Sequence, residues 1–444
     1  MTTHTLTPTV SPTVSPTVSP SREHFARETP KPHFLDGMAE RAVRKTLAGI
    51  QHGQVTLCDG KHDATYGAPT PRCPLSVTVH VHDPRFYSDM AFGGSIGAGE
   101  AYMQGHWSVG NGNSGDDLTA LVRILLQNRE VLDGMETGLA RLLTPFQKAL
   151  HWMSRNTREG SSRNIQAHYD LGNAFFELFL DPTMMYSSAI FERPDVTLEQ
   201  ASIAKLDSIC RKLQLNPGDR VIEIGTGWGG FALHAAKHYG CHVTTTTLSP
   251  SQHAVAQQRI RDAGLEHRIE LLLKDYRDLQ GQYDKLVSIE MIEAVGHQYY
   301  DTYFAKCSAL LKPEGLMLLQ AITIADQRYD AAKRSVDFIQ RYIFPGSCIP
   351  SVTAMCDAVK RVTDLRLIDL EDIGPHYATT LRCWRDNLMA NIDKVRALGY
   401  SEEFIRMWVF YLCYCEGGFI ERVIGDVHML MAKPQARPLD VRAS

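Results

Sequence analysis

The stretch Val221-Ile222-Glu223-Ile224-Gly225-Thr226-Gly227-Trp228-Gly229-Gly230 is suited to holding a nucleotide-like cofactor. Glycines at 225 and 227 let the backbone turn tightly and approach a ligand, and Gly229 and Gly230 let a following helix pack close. This spacing alone serves nicotinamide and S-adenosylmethionine (SAM) enzymes equally. The next strand favours SAM, because Thr244-Thr245-Thr246-Thr247-Leu248-Ser249 offers no acid to a dinucleotide ribose. Asp275, after a third strand, could accept an adenine amino hydrogen. Glu290 and Glu293 are three residues apart and would share a helix face, with Glu290 reading as the solvated one. The 10 cysteines include no CxxC pair, which points to reduced thiols and away from a zinc site or disulfide framework.

These residues need a frame, and the pattern from Arg220 supplies one. Strands are expected at Arg220–Gly225, His242–Thr247, Arg268–Leu273, Lys285–Ile289 and Leu316–Ile322, the last opened by a Lys312–Gly315 turn. Helices fall between them, at about Gly229–Tyr239, from Ser249, and near Tyr299–Leu311. That alternation is a doubly wound α/β sheet, which binds ligands at the carboxyl ends of its strands. Ahead of it lies a block at about 34–150. It has an alternating strand at Leu75–Val81 and a helix from Leu118 to about Asn128, capped by Asp116–Thr119. The glycine-dense Phe92–Met103 lacks the Gly-Lys-Ser/Thr of a phosphate loop and reads as a tight turn entering a helix.

The chain has 444 residues, enough for two or three domains, with 46 Lys+Arg against 50 Asp+Glu and a formal net charge of -4. That balance argues against a dedicated nucleic-acid binder. No apolar run approaches membrane-spanning length, and no secretory signal opens the chain. Residues 1–30, with their SPTV repeats, read as a disordered low-complexity tail. Residues 141–163 carry Arg141, Lys148, Arg155, Arg158 and Arg163 against Glu159 alone, a net +4 interleaved with apolar groups. Such a segment suits an anionic membrane surface as well as it suits a solvated helix between domains.

Several ordered motifs make the chain resemble the cyclopropane fatty acid synthase family. The E-x-G-x-G-x-G from Glu223 resembles motif I of class I methyltransferases. With it stand Ala167–Asn173, Met185–Ala189, Thr247–Gln252, Glu290–Gly296, Tyr342–Gly346, His376–Leu381 and Tyr414–Phe419. The likeness is strong over 160–433 and weaker over the first block. It implies a Rossmann-like methyltransferase sheet with extra lid helices, plus a smaller N-terminal α+β accessory domain at 34–150 that would dock lipid or a second copy of the chain. It implies SAM contacts at Tyr186, Ser187, Glu223, Gly225, Gly227, Thr247, Leu248, Gln252, Asp275 and Tyr276.

The family reaction transfers the SAM methyl to a cis alkene of a phospholipid acyl chain. The resulting carbocation must be kept from water until a base takes a proton and the ring closes. The resemblance implies bicarbonate as that base. Glu293 would accept its hydroxyl, Tyr377 would donate to it, and backbone groups around Ser188 and Ile322 would complete the cradle. Tyr169, Phe191, Tyr342 and Phe344 are aromatic candidates for facing the cation. Cys415 matches a family cysteine but reads better as a core thiol, and His168 reads as readily as a loop histidine as a site residue. The chain departs from the family at Ser188, where cysteine is usual, and at Gln320, where many members have histidine. An amide holds an anion but takes no full proton, so a methyl- or methylene-branched product stands as the alternative to a ring, and a SAM- or lipid-binding protein with a dead site as a third reading. A soluble chain with a lipid substrate would sit in the cytoplasm and reach the inner face of the membrane transiently.

Overall fold

The computed structural model describes residues 36–110, 115–129 and 171–437. The expectations for the 1–30 tail, His168, Tyr169 and the basic segment 141–163 fall outside them.

The first part is α1 (Asp36–Leu47), β1 (Gly53–Cys58), β2 (Ala64–Ala68), β3 (Ser76–Val81), α2 (Arg85–Met103), β4 (Trp107–Val109) and α3 (Gly115–Gln127). Its four strands form one sheet in the order β2-β1-β3-β4. The glycine-dense segment is a correction to the expected turn: it lies inside α2, which bends at Gly94 (φ 56°, ψ -136°). Its other glycines answer to packing. A Cβ on Gly97 would stand 2.0 Å from the Asp89 carbonyl oxygen, and one on Gly99 2.4 Å from the Phe338 ring.

The larger sheet follows α4 (Leu198–Lys212) and runs through β5 (Arg220–Ile224), β6 (His242–Thr247), β7 (Ile269–Leu273), β8 (Tyr283–Ile289) and β9 (Leu311–Ile324). These five strands are mutually parallel. Val221 to Ile224 are all buried, as a strand covered on both faces requires. Alternation sends Ile222 and Ile224 to one core and Val221 to the other. Two strands that the sequence reading did not find, β10 (Arg366–Asp372) and β11 (Ile424–Ala432), add antiparallel on the β9 edge, giving the order β10-β11-β9-β8-β5-β6-β7. The Lys312–Gly315 turn does not open β9 but interrupts its register within it.

Helices set the loops. The helix after β5, α5 (Gly230–His234), widens into a π-helical turn over Ala235–Tyr239. Ser249 caps α6 (Pro250–Asp262), its hydroxyl accepting from the Gln252 N–H, with Pro250 at the first turn where its missing N–H costs nothing. Two long helices, α9 (Gly374–Ala390) and α10 (Glu402–Ile420), come after α7 (Tyr300–Leu310) and α8 (Val352–Val362). One apolar core joins α9 and α10 to the small sheet, α2 and α3. Inside it, buried Arg385 of α9 donates to Glu416 of α10 at 2.6 Å and to Thr119 of α3 at 3.1 Å.

Candidate active site

A cavity of about 830 Å³ lies at the carboxyl ends of β5, β6 and β8. Tyr186, Ser187, Glu223, Gly225, Gly227, Thr247, Leu248, Gln252 and Tyr276 all line it. Gly225 and Gly227 take φ values of 101° and 51°, a region that favours glycine, which explains the motif. Glu223, at the end of β5, accepts the Thr245 hydroxyl at 2.6 Å, and burial pushes its carboxyl up to about 7. The Thr247 hydroxyl holds Gln252 at 2.9 Å, and the Tyr186 and Tyr411 hydroxyls meet at 3.0 Å. The buried Thr226 hydroxyl on the same wall has no hydrogen-bond partner among the described residues. A glycine turn, a buried acid and a hydroxyl with no partner among the described residues, all on one cavity wall, fit SAM.

Asp275 is different. Both its oxygens are taken by the Arg277 guanidinium, at 2.7 and 2.5 Å, and it does not line the cavity. The cavity wall at this point is formed by its neighbour Tyr276.

Deeper in, three carboxyls converge. The solvated role expected of Glu290 is corrected here. Its Oε1 accepts the Ser188 N–H at 2.9 Å and the Gln320 amide at 2.8 Å, and its Oε2 accepts the Tyr377 hydroxyl at 2.6 Å. It is placed there by an uncommon backbone, φ 48°, at the turn leaving β8. Gln320, on β9, gives a second amide hydrogen to Asp426 on β11 at 2.9 Å. Burial, then the nearby Glu290 charge, push the Asp426 carboxyl well up, so Asp426 is the member that keeps a proton. Glu293 lies apart on the one-turn helix Ile292–Ala294. Its Oε1 accepts the Ile322 N–H at 2.6 Å, and its Oε2 is buried with no hydrogen-bond partner among the described residues. Burial, and then Glu290, push it up to about 8.

Behind Gln320 a second set of contacts fixes its orientation. An ammonium can only donate, so Lys212, 3.0 Å from His428 Nδ1, leaves the imidazole proton on Nε2. That proton faces the Gln320 carbonyl oxygen at 3.3 Å and turns the amide hydrogens toward the carboxyls. Burial holds His428 well below its usual range, in keeping with the neutral ring. Under the site, fully buried Lys205 donates to the Ser187 hydroxyl at 2.7 Å. Burial pulls its pKa down to about 8, opposed by Glu290, Asp426, Asp181 and Glu223.

Glu290, Lys205, Asp426 and His428 were not singled out as site residues by sequence reasoning. Asp426 and His428 carried a signal: polar residues two apart in the otherwise apolar stretch Ile424–Ala432, on the same face of a buried strand. Among the aromatic candidates, Phe344 lines the cavity, Phe191 does not, and Tyr342 turns its hydroxyl to Glu100. Cys415 is on the cavity wall, and burial, with Asp337 nearby, pushes its thiol far above its usual range, which suits a packing role and not a nucleophile.

The family model described as mycolic acid cyclopropane synthetase matches residues 156–429. The chain belongs to that family. Over 390 residues it is 39% identical to the tuberculostearic acid methyltransferase UfaA1 of Mycobacterium tuberculosis, covering 86% of this chain and 88% of that protein. It is 38% identical over 350 residues to the cyclopropane-fatty-acyl-phospholipid synthase of Escherichia coli K12, covering 78% and 85%. Among solved structures it is similar to the mycolic acid cyclopropane synthase CmaA1 complexed with SAH and CTAB. That match has a TM-score of 0.58 and 34% identity, over 61% of this chain and 98% of that one. Coclaurine N-methyltransferase, at 22% identity and a TM-score of 0.57, shares the fold. This cyclopropane synthetase family member is thus a SAM-dependent methyltransferase with the class I fold.

Proposed function

We propose that the enzyme alkylates the cis double bond of unsaturated acyl chains in membrane phospholipids and closes the product into a cyclopropane. One observation carries this reading: the glycine turn that fits SAM and the carboxylate held by Ser188, Gln320 and Tyr377 open into a single cavity. SAM supplies an electrophilic sulfonium methyl, which a feeble nucleophile such as an alkene requires. This chain's residues do the rest. Tyr186, Phe344, Tyr377, Tyr411 and Phe419 line the cavity with aromatic surface that can face a carbocation and exclude water.

Ring closure needs a base beside the new methyl. The resemblance implies bicarbonate. Its expected donors, the Ser188 N–H and the Tyr377 hydroxyl, are engaged by Glu290, so the residues present do not fit that ion, and no step is routed through it.

No helix among the described residues is long and apolar enough to cross a membrane. We place the enzyme in the cytoplasm, reaching the inner membrane face transiently through the basic segment 141–163. The cavity lining includes Arg129, Lys333 and Arg334, cations suited to the same anionic surface.

A branched product is the second reading. It is favoured by Gln320, which takes no full proton, and by likeness to a relative named as a methyltransferase rather than a cyclopropane synthase. The test is incubation with SAM and unsaturated phospholipid vesicles, followed by acyl mass spectra. The gain of one CH2 that resists hydrogenation means a ring. The same gain with unsaturation retained means a branch, and no gain sinks both.

A further inference from the structure

We propose that Glu290 is the built-in base of this enzyme, its carboxylate standing where the family resemblance implies a bicarbonate ion. The assignment rests on the alkene-alkylation reading above and adds the identity of its base. Three donors converge on the one side chain: the Ser188 N–H, the Gln320 amide and the Tyr377 hydroxyl, at 2.9, 2.8 and 2.6 Å. These are the partners an anion in this pocket would use, and a side chain tethered to β8 reaches them without the entropy cost of binding a free ion.

The surrounding charges agree. Burial pushes Asp426 well up and Glu293 to about 8, and it raises Glu290 as well, but Glu290 is the member met by three donors, with the buried Lys205 ammonium near it, an arrangement that favours its anionic form. The backbone agrees as well. Glu290 holds φ 48°, a conformation uncommon outside glycine, and a position that only needed a turn would not require a glutamate there.

The step balances as follows. The alkene π pair forms the new C–C bond to the methyl carbon as its bond to sulfur breaks, and the sulfur keeps that electron pair. The positive charge is left on the other alkene carbon. Glu290 takes a proton from the new methyl, and the C–H pair closes onto the cationic carbon as the third ring bond. The proton then leaves to water when the cavity empties, restoring the carboxylate.

The test compares wild type, Glu290→Gly and Glu290→Gln on unsaturated phospholipid vesicles with SAM, in buffer freed of carbon dioxide and again in millimolar bicarbonate. Binding of 13C-labelled bicarbonate is followed by NMR, and SAM affinity by calorimetry. The expected wild-type rate is the same in both buffers, with no bicarbonate bound. Glu290→Gly, which suits φ 48° and so folds, is expected to lose about 100-fold or more without bicarbonate. It should regain turnover with the ion and bind it. Glu290→Gln should lose as much and not be rescued, with SAM affinity kept in both variants. A wild type that binds bicarbonate or needs it, or a Glu290→Gln variant within a few-fold of wild type, overturns the proposal. If wild type binds SAM but gives no product, the phospholipid reading fails. The NMR arm then still decides the proposal: bicarbonate bound by Glu290→Gly alone supports it, and bicarbonate bound by wild type overturns it.

Discussion

The Tyr377 hydroxyl donates to Glu290 Oε2 at 2.6 Å while its ring stacks on Phe419 at 4.4 Å between centroids. The stack fixes the ring, and the ring aims the donor. Burial raises the Glu290 carboxyl, and this hydrogen bond is the first influence opposing it. Tyr377→Phe keeps the stack and deletes the donor. Glu290 then titrates higher, so the acid limb of the kcat/KM profile moves to higher pH. A charge-assisted hydrogen bond is worth about 1.5–3 kcal/mol, which sets that move at about one to two pH units. SAM affinity, read by calorimetry, should be unchanged. An unmoved acid limb would detach Tyr377 from the base.

Glu293 gives a prediction with the opposite sense. Its carboxyl is pushed up to about 8 by burial, so at neutral pH it is mostly the neutral acid, and glutamine copies that form. The folded state binds its proton more tightly than the unfolded chain does. Stability from this group is therefore fully present at low pH and falls as pH rises from about 4.5 toward 8. Glu293→Gln removes that fall. The variant should melt higher than wild type, by an amount that grows across this window and is on the order of 3 kcal/mol at pH 7. Methyl transfer at pH 7 should stay within a few-fold. A melting difference that is flat with pH, or a collapse of activity at pH 7, would contradict it.

The SAM side of the site was legible in the sequence, and the carboxyl side only partly. Glu223, Gly225 and Gly227 are close along the chain, and the physical demand on them, a tight turn after a buried strand, is local. The five parallel strands were legible for the same reason, within a few residues at their ends. The carboxyl cluster is built by register instead. Gln320 faces His428, and Ile322 faces Asp426, only because β11 pairs antiparallel with β9, and no local pattern announces that pairing. Glu290 was misread because spacing on a helix was applied to a residue at a strand end with φ 48°. The glycines of α2 were misread because glycine at a turn and glycine under a packed ring look the same in sequence; only the Phe338 contact tells them apart.

Gly225 offers a test of the cofactor turn. Its φ of 101° is strained for any side chain, and a Cβ would stand 3.2 Å from the Met291 side chain, tighter than ordinary contact. Gly225→Ala should therefore tilt the turn away from the ligand. The strain is about 1–3 kcal/mol, so SAM affinity measured by calorimetry should fall about 5- to 100-fold. Thermal stability falls with it, because the strain is present without ligand. Wild-type affinity in this variant would mean the turn does not hold SAM.

Arg385 joins the two parts of the molecule. Its guanidinium is buried and donates to Glu416 at 2.6 Å and Thr119 at 3.1 Å, while the Thr119 hydroxyl donates to the same Glu416 oxygen at 2.8 Å. Removing one member of such a pair strands a charge in the core, which costs about 3–5 kcal/mol. Arg385→Leu should lower the melting temperature accordingly. The double variant Arg385→Leu with Glu416→Leu should recover most of the loss, because no uncompensated charge remains. The helix bearing Arg385 also carries Tyr377, so the single variant, assayed well below its melting point, should lose kcat more than SAM affinity. Equal stabilities for single and double variants would show that the cost lies in lost packing rather than in the stranded carboxylate.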